Sequence, residues 1–255
     1  MESENQMKTR ERLHAIMDFE PFDRLPIIEW ATWWDKTIER WRGEGLPADL
    51  DRYGIYRHFG IEEHLYAFYD LPDLMHRMNR DLVAHHLKII DKVCEHTTPD
   101  FMTFAEDMSY NNGSMLSKEL FDEFMKPYYQ MVIPKLKEKG IKVIIDSDGD
   151  ISVPCKWFEE AGIEGILPLE RQAGVDIAQL RKDHPKQIYI GAYDKMVMNK
   201  GEDEIGTEFE RLLPVAKKGG FLISCDHQTP PGVSLEQYKI YLKLFKEYAV
   251  KAAGA

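Results

Sequence analysis

The chain has 255 residues, with 33 Lys and Arg against 44 Asp and Glu, a formal net charge of −11 at pH 7. Hydrophobic residues make up 44% and charged residues 30%, a globular balance that excludes disorder as the main state and needs no disulfides for a core. The acidic balance excludes nucleic acid as the main partner, because phosphate contacts require clustered Lys and Arg.

Residues 5–19 read as a helix with apolar positions at Met7, Leu13, Ile16 and Met17. A turn around Pro21 and Pro26 leads to a short strand at 27–30, and residues 32–58, with Trp33, Trp34 and Trp41, read as helices and loops. A long helix is expected from Asp70 through His96, with Leu74, Met78, Leu82 and Ile89 at helical spacing. Strands are then expected at 101–105, 141–145, 165–169, 187–192 and 220–224. Helices at 117–139, 151–161, 175–183, 202–218 and 234–252 follow them in turn, with Ser117 and Ser234 as N-caps. The strands are apolar on both faces, as parallel strands under helices should be.

The three cysteines, Cys94, Cys155 and Cys225, are far apart and form no CxxC, which suits a reducing compartment. The first residues carry no apolar signal core, and no apolar run reaches about 18 residues. The expectation is a cytoplasmic protein with no membrane partner. No composition shift divides the chain, so 1–255 reads as one domain, with 1–65 its N-terminal helical part and first strand and 66–255 the rest.

Strand–helix alternation allows a doubly wound sheet or a (β/α) barrel. Nothing matches the G-x-G-x-x-G turn of a dinucleotide site. The expected strands end instead in Glu29, Glu106-Asp107, Asp146-Ser147-Asp148, Glu170, Tyr193-Asp194 and Cys225-Asp226-His227. Acids at every strand end favour a barrel, whose C-terminal ends converge on one face. About six strands are recognisable, so the expected fold is a distorted and incomplete (β/α)8 barrel. Its open edges would need a cover, such as a second copy in a homodimer.

The strongest candidates are Asp146 and Asp148, since two carboxylates this close do not both ionise cheaply. His227 stands at the last strand end and can move a proton or bind a metal. Glu170 and Arg171 read as an ion pair or, for the Arg, as a grip on a substrate carboxylate. Tyr193, Asp194, Glu106, Asp107, Glu29 and Trp30 are expected to line the pocket. His227 and Cys225 are residue types that can ligate zinc, although Cys225 alone reads as a small buried residue.

These motifs resemble the uroporphyrinogen decarboxylase superfamily, which contains the decarboxylase of haem synthesis and zinc-dependent corrinoid methyltransferases. The resemblance runs from Thr9-Arg10-Glu11-Arg12-Leu13 and Asp23-Arg24-Leu25-Pro26 through Asp146-Ser147-Asp148-Gly149-Asp150, Pro168-Leu169-Glu170 and Gly191-Ala192-Tyr193-Asp194 to Asp226-His227-Gln228-Thr229-Pro230-Pro231. It implies a distorted (β/α)8 barrel and an enzyme acting on an anionic small molecule. The decarboxylase's N-terminal Arg-Gln-Ala-Gly-Arg signature is absent near Trp30–Asp35, and Asp146-Ser147-Asp148 stands where the methyltransferases carry His-x-Cys. What the resemblance implies is therefore corrinoid-linked methyl transfer or demethylation, with zinc as a cofactor on a substitute set of Asp148, Cys225 and His227 and a corrinoid protein as partner. Porphyrinogen decarboxylation is the alternative, and a non-catalytic binding protein on a shortened barrel is a further one.

Overall fold

The computed structural model describes residues 7, 9–24 and 61–254. The strand expected at 27–30, the elements expected over 32–58, and Glu29 and Trp30 lie outside the described residues.

Helix α1 spans Thr9–Met17. Arg12 within it is buried and grips Asp23 with Nε and Nη2 at 2.6 and 2.7 Å, while Nη2 also reaches the Met7 carbonyl. The paired guanidinium holds the Asp23 carboxyl below its usual range and explains why the two N-terminal motifs occur together. Helices α2 (Ile61–Asp70) and α3 (Pro72–Cys94) follow, and Pro72 opens α3 where its missing N–H costs nothing. The single long helix expected from Asp70 is thus α3 alone.

Strand β1 (Phe101–Ala105) leads to a small hairpin, β2 (Ser109–Tyr110) with β3 (Gly113–Ser114), where the sequence reads as a plain loop. The next helix, α4, consists of Lys118–Leu120, a π-helical turn Phe121–Met125 and Lys126–Glu138. Ser117 caps it by accepting the Leu120 amide at 3.2 Å. There follow β4 (Lys142–Asp146), α5 (Pro154–Ala161), β5 (Gly165–Leu167), α6 (Ile177–Asp183), β6 (Ile188–Tyr193), α7 (Glu202–Ala216), β7 (Phe221–Cys225) and α8 (Leu235–Ala252). Ser234 and Gln237 form a reciprocal capping box at the start of α8.

The five long strands are all parallel and lie in the order β1-β4-β5-β6-β7. Sequential parallel order is the winding of a (β/α) barrel; a doubly wound sheet reverses direction partway. Every residue of β6 and β7 is buried, as expected under two covered faces. On β1 only Phe104 is buried, while Thr103 and Ala105 are exposed. Between the sheet and its outer helices, Tyr193, Phe209, Tyr241 and Phe245 stack with centroid spacings of 4.6 to 5.7 Å. Gly191, at φ +116° in β6, lets β6 approach the turn that follows β5, since a Cβ there would stand 1.8 Å from the Pro168 carbonyl oxygen.

Candidate active site

Parallel strands bring residues distant in sequence to one rim. Asp146 ends β4, and Asp107, Asp148, Glu170, Lys195 and His227 stand in the turns just beyond the strands. His227 Nε2 lies 3.4 Å from Asp148 Oδ2. The Asp148 amide donates to Asp107 Oδ1 at 3.2 Å, and the Gly149 amide donates to Glu170 Oε2 at 3.0 Å. Lys195 Nζ donates to Glu170 Oε1 at 3.1 Å and lies 3.8 Å from Asp226 Oδ1. Asp146, Asp148, Glu170, His227 and Asp107, all expected at the site, therefore meet around one rim.

Asp226 is the fastening beneath them. It is fully buried, its Oδ2 accepts the Arg171 amide at 2.9 Å, and its Oδ1 accepts the Lys195 amide at 3.1 Å. One carboxylate thus ties together the loops after β5, β6 and β7. Neither Asp226 nor Lys195 is among the residues the sequence singles out for the site. The available signal was a buried-strand terminus running straight into an acid.

Burial pushes the Asp146 carboxyl up to about 7, helped by repulsion from Asp148 and Asp107. Burial likewise raises Asp107, with Asp148 adding to it, and pushes Asp226 up to about 6 against the pull of Lys195. The hydrogen bond to Asp148 raises His227. On the other ring nitrogen, the Gln228 amide donates to Nδ1 at 2.7 Å. A backbone N–H can only donate, so Nδ1 must accept and the neutral ring carries its proton on Nε2, facing Asp148.

These shifts fix the sign of the pH dependence of stability. Asp146 and Asp226 have ordinary values of 3.8 and Glu106 of 4.5, and folding raises them to about 7, 6 and 7. Between those limits the folded state holds more protons than the unfolded chain, so stability falls as pH rises. His227 acts in the same direction, its contribution being lost as pH climbs past its raised value. The melting temperature is expected to drop from pH 5 to pH 8, as a calorimetric pH series would show; a flat or rising profile contradicts the burial of these acids.

Other expected residues are placed elsewhere. Cys225 is fully buried and directs Sγ at Met198 Sδ, 3.7 Å away. Tyr193 is also fully buried, its hydroxyl donates to the Ile205 carbonyl of α7, and its ring belongs to the outer aromatic layer. Asp194 caps the turn Lys195–Val197 through the Met196 amide and receives Gln172 Nε2. Arg171 turns Nη1 to the Val175 carbonyl at 3.2 Å. Glu106 faces the helices behind the sheet, with Phe104 and Tyr129.

The set Asp148, Cys225 and His227 does not assemble. The residues that converge are Asp148, Glu170 and His227, with one ligand atom of each within 4.8 Å of the others. Asp148 Oδ1 is buried there without a hydrogen bond. This arrangement does not fit a zinc centre of the thiolate kind, since it offers two carboxylates and no sulfur. The Nε2 that would bind the ion carries the proton, and both Glu170 oxygens are already engaged.

The loop after β4 leaves no room for a side chain at Gly149, which has φ +83° and whose added Cβ would stand 2.7 Å from Tyr110 Cα and N. Gly149→Ala is expected to push the β2–β3 hairpin off the rim and break the Glu170 contact. Loss of turnover and of amide protection at 109–114 in hydrogen exchange checks this; unchanged protection would contradict it.

Fold and site together define a (β/α)-barrel protein whose polar cluster lies at the C-terminal strand ends, the face where barrels of this class place their chemistry. The family model "Uroporphyrinogen decarboxylase (URO-D)" matches residues 58–248, and the chain belongs to that family. Among solved structures it is similar to a methyltransferase from Methanosarcina mazei at 16% identity and TM-score 0.43, covering 58% of this chain and 42% of that one. The chain thus spans less than half the length of that methyltransferase. No curated protein matches it. Among the described residues no helix is long and apolar enough to cross a membrane.

Proposed function

We propose that the chain is an enzyme that moves a methyl group between a heteroatom of a small molecule and a corrinoid carried by a partner protein. The observation that carries this reading is Asp146, a carboxyl at the strand mouth held near pH 7 by burial and by Asp148 and Asp107. A carboxylic acid that is partly protonated at neutral pH is poised for general acid–base work. The corrinoid, when bound, supplies the methyl-carrying cobalt. This chain handles the proton: a heteroatom that loses its methyl group keeps the bonding electron pair and takes a proton from Asp146, and a heteroatom that gains one gives its proton to Asp146. The imidazole of His227 donates from Nε2 and keeps Asp148 in place.

A second reading, decarboxylation of uroporphyrinogen, also needs a proton donor here. It is less well supported because Lys195 lies between Glu170 and Asp226 and Arg171 Nη1 is given to Val175. Among the described residues, the substrate's carboxylates would meet an acid-rich rim. The same rim favours a neutral substrate over the anionic one expected from the resemblance.

The test is spectral. Methylcobalamin is incubated with the protein and a series of thiol, phenol and amine acceptors, and demethylation is followed in the visible spectrum. Protein-dependent turnover supports the reading. Release of CO2 from uroporphyrinogen without any corrinoid turnover replaces it with the decarboxylase reading, and inertness in both assays points to a binding protein. Within an active enzyme, His227→Ala is expected to cost about 10–100-fold in kcat and His227→Gln to recover part of it, because a hydrogen-bond donor of this kind is worth roughly 1.5–3 kcal/mol. Equal losses in both variants would show that more than the Nε2 donor is at work.

A further inference from the structure

On the helix side of the sheet, a cavity of about 50 Å³ lies between β1, α3 and α4. Its polar edge is formed by Glu106, Tyr129, His86 and Asn79, and its walls by Phe104, Phe124 and Tyr128 together with aliphatic side chains. The sequence assigns Glu106 to the pocket at the strand ends. Strand parity sends it instead to the helix side, with Phe104 two residues before it.

No Lys or Arg lines the cavity among the described residues. The groups facing Glu106 are His86 of α3, which burial and His85 hold below its usual value, and Tyr128 and Tyr129 of α4. Tyr128 is already engaged by His76 Nδ1 at 2.7 Å. The Tyr129 hydroxyl is buried and makes no hydrogen bond of ordinary geometry, although it stands close enough to Glu106 to favour the carboxylate. Burial, with Asp107 adjacent, pushes Glu106 up to about 7. The cavity is bounded by the π-helical turn, whose Phe124 carbonyl is held by Asn79 Nδ2 at 2.6 Å. Such turns often mark binding places in helices.

A carboxylate, a phenol hydroxyl beside it and aromatic faces around a small void form a receptor for a compact cation. The aromatic quadrupoles attract positive charge, and the carboxylate and phenol oxygens accept N–H donors. An anion is excluded by Glu106, and a neutral solute would leave the carboxylate without a counter-ion. The volume admits only a few non-hydrogen atoms. We propose that this cavity binds a small primary alkylammonium ion, one or two carbons long, between the Glu106 carboxylate and the rings of Phe104, Phe124 and Tyr128. This site is independent of the chemistry at the strand mouth.

Calorimetric titration of the full chain with methylammonium chloride tests it, with sodium chloride as the ionic-strength control. Saturable binding is expected at pH 8, at least ten-fold weaker at pH 5.5 where Glu106 is protonated. Tetramethylammonium, too large for the cavity, is expected not to bind. Glu106→Gln should abolish the binding, and Tyr129→Phe should weaken it several-fold. Absence of saturable binding at pH 8, equal affinity at the two pH values, or unchanged affinity in folded Glu106→Gln each overturns the proposal. Should Glu106→Gln fail to fold, the pH pair and Tyr129→Phe decide it on their own.

Discussion

Asp146→Asn is expected to lower kcat by about 10²–10⁴-fold while raising the melting temperature at pH 8. The two effects have one origin. Asp146 ends β4 half-buried, and its ionised form is opposed by burial and by the charges of Asp148 and Asp107. Above pH 7 the wild-type protein must hold that charge in the folded state, at a cost to stability. Asparagine keeps the shape and removes the charge, so the folded state gains. It also removes the exchangeable carboxyl proton, so the proton transfer is lost. At pH 5 wild-type Asp146 is itself neutral, and the stabilisation should disappear there while the kinetic defect remains. Melting curves at pH 5 and 8, set beside kcat at each pH, check this. A variant less stable than wild type at pH 8 would make Asp146 a structural acceptor and remove it from the chemistry.

The order of elements was legible because parallel strands must be apolar on both faces and helices must announce their ends. Ser117 and Ser234 cap as expected, and Gly162, in the left-handed region, ends α5. Strand β5 stops at Leu167, two residues short of the expectation, as the chain turns away through Pro168 and the left-handed Leu169. At the site, residue type was legible but direction was not. Glu106 and Asp107 are neighbours, so the pleat sends them to opposite faces, and only register with Asp146 decides which one reaches the rim. Tyr193 and Cys225 end buried strands and sit opposite each other in the β6–β7 register. One packs against α7 and the other against Met198, a choice made by tertiary neighbours that composition does not encode. Lys195 was missed for a related reason: its partners, Glu170 and Asp226, are brought to it by strand order rather than by sequence spacing.

Asp226→Ala is expected to cost about 3–5 kcal/mol in stability, the usual penalty for leaving buried charged or donor groups without their partner. The Arg171 and Lys195 amides would each lose a hydrogen bond of 2.9 and 3.1 Å at a position from which water is excluded, and Lys195 Nζ would lose a carboxylate 3.8 Å away. With that fastening gone, the loops bearing Glu170, Lys195 and His227 are no longer tied together, so turnover should fall even in the fraction that stays folded. Asp226→Asn should be milder, since one amide oxygen remains to accept while the new NH2 faces a second donor. Urea midpoints at constant slope measure the difference. The pH dependence distinguishes this role from simple packing. Burial raises Asp226 to about 6, so the wild-type side chain contributes more below that pH than above it. The gap between wild type and Asp226→Ala should therefore widen on going from pH 8 to pH 5. A gap that narrows, or an alanine variant with the wild-type midpoint, would mean that the three loops are held by something other than this carboxylate.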